Sequence, residues 1–271
     1  MLVAAVGAAA GWGVSDFLAG MLSRRLPVLT VLIGSNVAAM VLALLAVAVR
    51  GVAPVWDARV WPAVVAGLVG LPAMGLLYRA MRDGSPAVVA PVAAVAALVP
   101  VGWGLLHGER FGFGAGLGVA CGLAGVTLAS WPVPSAERRR TRQLANLCGL
   151  GAALGFGAYF VLLHEAGAAD QFWAIAFART IEGIVGLFLA LVFRPRASIR
   201  FPVMAVGASD VLADAAFLAS AAEVLTPAAV VASLYPAVTL VLNRSFLRER
   251  LHTVHLYGVI VAVLSVACLA R

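Results

Sequence analysis

The chain has 271 residues, of which 63% are hydrophobic and only 11% charged, with a mean hydropathy of +1.03. Soluble domains average about 45–50% apolar and about 25% charged residues, and a single core cannot hide this much apolar surface, so the composition excludes an ordinary soluble globule and points to the bilayer as solvent. The formal charge of +7 comes from arginine alone, since there is no lysine; the arginines occupy short gaps between apolar runs, where membrane proteins place orienting charge, and this argues against a nucleic-acid partner.

Taken in chain order, the apolar runs predict ten membrane-spanning helices at 2–20, 28–49, 60–80, 86–106, 111–131, 144–164, 172–193, 202–222, 227–246 and 253–270. Each is close to the ~20 residues that cross a hydrocarbon core as a helix. Residues 1–20 lack the basic start of a signal peptide and read as a retained first helix. The three cysteines, Cys121, Cys148 and Cys268, fall inside apolar runs, form no CxxC pair, and read as small buried hydrophobes. The longest polar gap, 132–143, lies near the middle of the chain and reads as a linker between two halves, 1–131 and 144–271.

The halves resemble each other. "AAAGWG" (8–13) corresponds to "AALGFG" (152–157), "SPAVVA" (85–90) to "TPAAVV" (226–231), and "GERF" (108–111) to "RERL" (248–251), in the same order and at nearly the same offset. Five spans per repeat is an odd number, so the second half enters the membrane upside down relative to the first. The fold class expected is an all-α membrane protein of ten transmembrane helices in two inverted five-helix repeats, an architecture recurrent among secondary transporters.

The segments "GWGVSDF" (11–17), "SPAVVAPVAAVAALVPVGWGLLHGER" (85–110) and "TPAAVVASLYPAVTLVLNRSFLRER" (226–250) resemble the EamA-type family of the drug/metabolite transporter superfamily. The family's apolar helix closed by an acidic–basic pair is matched by Glu109–Arg110 and Glu249–Arg250. The resemblance covers nearly the whole chain. It implies a ten-helix, multi-pass exporter or importer of small metabolites in the cytoplasmic membrane, with both termini cytoplasmic. Arginine placement implies the opposite side, because Arg24, Arg25, Arg79, Arg82, Arg138–Arg140, Arg142, Arg194, Arg196, Arg200, Arg244, Arg248 and Arg250 all fall in odd-numbered gaps. The two readings agree that the termini share a side and leave open which.

Charge at bilayer depth costs about 2.5–3.5 kcal/mol on insertion scales, so intramembrane ionisable groups mark candidate sites. Asp210 and Asp214 are four residues apart on one face of span eight, and Arg179 and Glu182 are three apart on one face of span seven. Counting residues back from the 194–201 gap at ~1.5 Å each puts Asp214 level with Arg179 and Glu182, so an Arg179–Asp214 pair is available. Two readings stand for this cluster: a site where a proton and a solute compete, or a structural ion pair fixing helix register. A site with an arginine beside carboxylates would suit a zwitterion such as an amino acid.

Asp16 in span one is either a further site residue or an interfacial group that snorkels. Ser35 and Asn36 in span two are candidates to hydrogen-bond a solute or to bridge helices. Trp12, Trp103, Tyr159 and Tyr235 are candidates to line a cavity. The histidines lack HExxH or other ligand spacing, so no metal is expected, and no cofactor is implied. Glu109 and Glu249 are expected to hold helix ends with the neighbouring arginines. Pro91, Pro100 and Pro236 are expected to interrupt spans four and nine. Gly114, Gly118 and Gly122 form a GxxxGxxxG face that packs inside the chain or in a homodimer.

The function expected is a secondary transporter working by alternating access, without a GxxxxGK[ST] phosphate loop and therefore driven by a proton gradient rather than ATP, exporting a small-molecule solute. The partners are the solute, protons and the lipid bilayer. An intramembrane enzyme or lipid-handling protein is the second reading, although no GxSxG or paired His/Asp constellation is present. A non-transporting scaffold is the third.

Overall fold

The computed structural model describes residues 1–54, 58–83, 86–110, 112–129, 131, 139–195, 201–222, 224–247 and 253–269. Among these the chain forms helices and no strand. In order they are α1 (Leu2–Ser23), α2 (Val28–Arg50), α3 (Val60–Asp83), α4 (Pro86–Leu106), α5 (Phe113–Ala129), α6 (Arg139–Gly167), α7 (Gln171–Phe193), α8 (Phe201–Ala221), α9 (Leu225–Ala232), α10 (Tyr235–Leu247) and α11 (Thr253–Leu269).

Among the described residues seven stretches are long and apolar enough to cross a membrane: α1, α2, α3 to Arg82, Leu147–Gly167 of α6, α7, α8, and Leu225–Phe246, which takes in α9 and most of α10. Their outward surface is apolar, as a lipid-facing surface must be. On α7, for example, Ile184, Leu187, Phe188 and Leu191 are exposed, whereas Ala178, Arg179, Glu182 and Gly183 are buried. Among its described residues the molecule is an all-α, multi-pass membrane protein, and Asp16, Arg179, Glu182, Asp210 and Asp214 within the spans are buried.

Three expectations are corrected by the structure. Span nine is not one helix but two, α9 and α10, divided at Ser233–Leu234. The reason is Pro236, in the first turn of α10: it has no N–H to give the preceding turn, and its ring crowds the carbonyl four residues back, at Ala232, so α9 ends there and a new helix starts. By contrast α4 runs unbroken through Pro91 and Pro100; proline inside a membrane helix is tolerated where neighbouring groups re-satisfy the freed carbonyl. Finally, α6 begins at Arg139, so residues 139–143 of the expected linker are its first turn, and 132–138 lie outside the described residues.

The packing partners follow a pattern. α2 lies against α7, and α5 against α11. α3 packs on α6 as α1 packs on α8; α3 also touches α7 as α2 touches α8; and α4 packs on α6 as α1 packs on α9 and α10. The glycine face of α5 is used inside the chain: Ser265 of α11 donates to the Gly118 carbonyl at 2.7 Å, and a Cβ at Gly122 would press on Val230 and Ser265. That face therefore makes no case for a second copy.

Candidate functional site

α7 carries the central charges, and its start is anchored at both levels of structure. Asp170 is its N-cap, accepting from the backbone N–H of Phe172 (2.9 Å) and Trp173 (3.1 Å), two of the donors a helix start leaves unpaired. The same carboxylate accepts from Arg50 Nη1 at 2.7 Å, tying the end of α2 to the start of α7. Burial opposes ionisation of Asp170, but the Arg50 contact and the two backbone donors outweigh it and hold the carboxyl below its usual range.

Two turns further along, Arg179 reaches inward. Its Nε and Nη2 donate to Asp214 Oδ2 of α8 at 2.7 and 2.6 Å, and its Nη1 donates to Glu182 Oε2 at 2.7 Å. The Tyr159 hydroxyl of α6 donates to the same Asp214 oxygen at 3.0 Å, and the Tyr159 ring lies 5.7 Å from the guanidinium carbon. All four side chains are buried. α2 packs against both α7 and α8, and side chains of α7 bridge to α8: Arg179 at this depth, and Gln171, whose Nε2 donates to the Leu218 carbonyl at 3.3 Å. Asp214 Oδ1 and Glu182 Oε1 have no hydrogen-bond partner.

The cluster borders a small cavity of about 40 Å³. Arg179, Glu182, Asp210 and Asp16 line it. Asp16 is 9% exposed, which removes the interfacial reading: α1 packs on α8, so Asp16 faces Asp210 within electrostatic range instead of snorkelling. The buried Ser15 interacts with Asp210 from the same helix. Trp12, Tyr159 and Tyr235, the last at the start of α10, supply aromatic wall. Trp12 stacks on Phe160 with centroids 5.0 Å apart and meets Phe217 at 5.7 Å, so its ring is held in place.

Most of the residues expected from sequence therefore meet at one place. Asp214 lies just behind the lining, where it accepts from Arg179 and Tyr159. Asn36 is placed elsewhere: it is buried, donates to the Leu32 carbonyl of its own helix at 2.8 Å, and does not line the cavity. Ser35 likewise bonds Leu32 O (3.2 Å). Trp103 donates to Glu165 at 3.0 Å, away from the cavity. His107 bonds the Trp103 carbonyl, while Glu249 and His252 lie outside the described residues. Sequence reasoning missed Gly70, Met74, Phe156 and Phe160, which complete the lining; in an Ala/Gly/Leu-rich span they carry no local signal.

Glu109 does hold a helix end, but not with arginine. Its carboxylate accepts from the backbone N–H of Leu225 (3.0 Å) and Thr226 (3.3 Å), capping α9 from across the molecule. Carboxylate at a helix N-terminus also meets the positive end of the helix dipole.

The chain superposes on a crystal structure of a protein with a TM-score of 0.74 at 16% sequence identity, over 97% of this chain and 98% of that one. That likeness speaks to the fold alone. No curated protein sequence is similar enough to count as a match. The family model of the EamA-like transporter family matches residues 1–131 and again 143–271. A helical membrane protein with charge gathered around a central cavity, matched along nearly its whole length by that model, belongs to the EamA-like transporter family and is a membrane transporter.

Proposed function

We propose that the protein is a proton-coupled secondary transporter that exports a small metabolite or drug across the cytoplasmic membrane by alternating access. In this reading ten membrane spans form two inverted five-helix repeats, 1–131 and 144–271, joined across 132–143, of which 139–143 are already helical. The interchange pattern of the packing supports it: the main contacts between helices of the two halves, α3 on α6, α3 on α7 and α4 on α6, each have a counterpart when the halves are exchanged. The family model's two matched stretches divide the chain at the same place.

The observation that carries the proposal is the cavity itself. It lies where α1 and α3 of the first half meet α6, α7, α8 and α10 of the second, as the solute site of a repeat-built transporter does. Its walls hold Asp16, Asp210, Glu182 and Arg179, costly groups that a pure scaffold gains little from burying. About 40 Å³ admits a few waters and no metabolite, so the halves must move apart for a solute to enter. The α9–α10 break supports such motion, since non-helical backbone at membrane depth is tolerated where it is buried in protein or lines a cavity.

The test is proton flux. The protein is reconstituted into liposomes holding a pH dye, and a panel of amino acids and cationic drugs is added to wild type, Asp210→Asn and Asp214→Asn. Solute-induced flux lost in Asp210→Asn supports coupled transport at this site. Flux unchanged in both variants reduces the aspartates to structure. A labelled-solute exchange assay without any exchange rejects the transport reading.

A further inference from the structure

We infer that the cargo is an organic cation, and that Asp16 and Asp210 are the carboxylates it shares with protons; the inference rests on the transport reading above. The zwitterion expected from sequence needs an arginine free to take a carboxylate. Arg179 already bridges two carboxylates. Its Nε and Nη2 donate to Asp214 and its Nη1 to Glu182, and the residue is 2% exposed. Its single positive charge is more than matched inside the protein.

Asp16 and Asp210 are in the opposite condition. Both are at least nine-tenths buried and both line the cavity. Among the described residues neither has an arginine at ion-pair distance. Asp210 is faced by Ser15, by Asp16 and Asp214, and by Arg179 at longer range; Asp16 is faced by Asp210, Tyr78 and Tyr235. A third acceptor points the same way: Glu182 lines the cavity and its Oε1 has no hydrogen-bond partner. Four carboxylates (Asp16, Glu182, Asp210, Asp214) stand against one guanidinium, a formal charge of −3 if all were ionised.

A buried surplus of that size cannot persist uncompensated. Protons neutralise it when the cavity is empty, and a cation neutralises it when the cavity is filled. An anion meets only repulsion there. The aromatic walls, Trp12, Tyr159 and Tyr235, favour an organic cation through their ring faces. Among the described residues no three His, Cys, Asp or Glu side chains converge as a metal site would require. Each cation entering the cavity therefore displaces a proton from the Asp16–Asp210 pair to the water on that side, and the proton returns when the cation leaves.

The test uses permanent cations, which have no proton of their own to lose. Full-length protein in detergent is titrated with tetramethylammonium and benzyltrimethylammonium in weak buffer, with leucine and benzoate in parallel, reading heat and proton release. At least one quaternary cation is expected to bind and release about one proton, with affinity falling about tenfold for each pH unit of acidification where the pair is protonated. Asp16→Asn and Asp210→Asn are expected to lose proton release and at least about tenfold in affinity, and Asp16→Glu to restore part of both. If the Asn variants do not fold, the wild-type comparison of the four probes decides. Binding of leucine but of neither quaternary cation overturns the inference. Amino-acid-driven proton flux in liposomes would then leave the transport reading standing. Cation binding with proton release but no exchange across liposomes keeps the cation and overturns transport.

Discussion

Gly70 of α3 sits against Glu182 of α7: a Cβ at position 70 would press on Glu182 Oε1 and lie 3.1 and 3.2 Å from Cδ2 and Cε2 of the Tyr159 ring. The absent side chain is what lets the carboxylate stay in the cavity wall while still accepting from Arg179. Gly70→Ala is expected to push Glu182 off Arg179, to cost about 1–3 kcal/mol as overpacking does, and to remove solute-driven proton flux. Gly75→Ala is the control, since its Cβ would make only a 3.4 Å contact with Leu32. Thermal unfolding in detergent and the liposome assay read both. A Gly70→Ala protein with unchanged stability and flux would show that Glu182 needs no fixed position.

The Arg179–Asp214 pair makes a second, separable prediction. Removing one partner leaves a buried charge unmatched, so Arg179→Leu or Asp214→Ala is expected to destabilise by about 3–5 kcal/mol. Arg179→Lys should not rescue, because one ammonium cannot engage Asp214 through two nitrogens and Glu182 through a third. The double variant Arg179→Leu/Asp214→Leu should cost less than the sum of the single changes. Additive costs in a double-mutant cycle would mean that the two side chains are not coupled, contrary to their geometry.

At the membrane edge, Asp170 makes stability depend on acid. Its folded-state carboxyl is held below the ordinary value, so its contribution is complete above that value, about 3.9, and disappears as pH falls through the lower folded one. Asp170→Ala removes both cap and ion pair and is expected to cost about 1 kcal/mol near neutrality. Asp170→Asn keeps the cap and should lose well under about 1 kcal/mol, because Arg50 is partly exposed and the pair is screened. Unfolding midpoints followed into acid should show wild type converging on Asp170→Asn. A gap that stays constant with pH would assign the effect to packing.

The most informative sequence clue, four charges in two adjacent apolar runs, was legible because two consecutive helices share one geometric ruler. From a short connection, equal residue counts reach equal depth, and this is why Arg179 and Asp214 were paired correctly. The same ruler says nothing about Asp210. One turn from Asp214 on the same helix, it meets α1 and Asp16 instead of the arginine, and the difference depends on which helix packs beside that turn.

What the sequence determined by itself is local: apolar length, helix content, and the depth of charge within a span. These follow from hydropathy and from a fixed rise per residue. Only the tertiary structure decided that Asp16 faces the cavity, that Asn36 turns back to its own helix, that Glu109 caps α9 from 116 residues away, and that Arg179 bridges Asp214 and Glu182. Each depends on contacts between helices distant in the chain. In so apolar a sequence nearly every face looks equally suited to burial, so hydropathy cannot choose the neighbour; close packing at small residues such as Gly70 does.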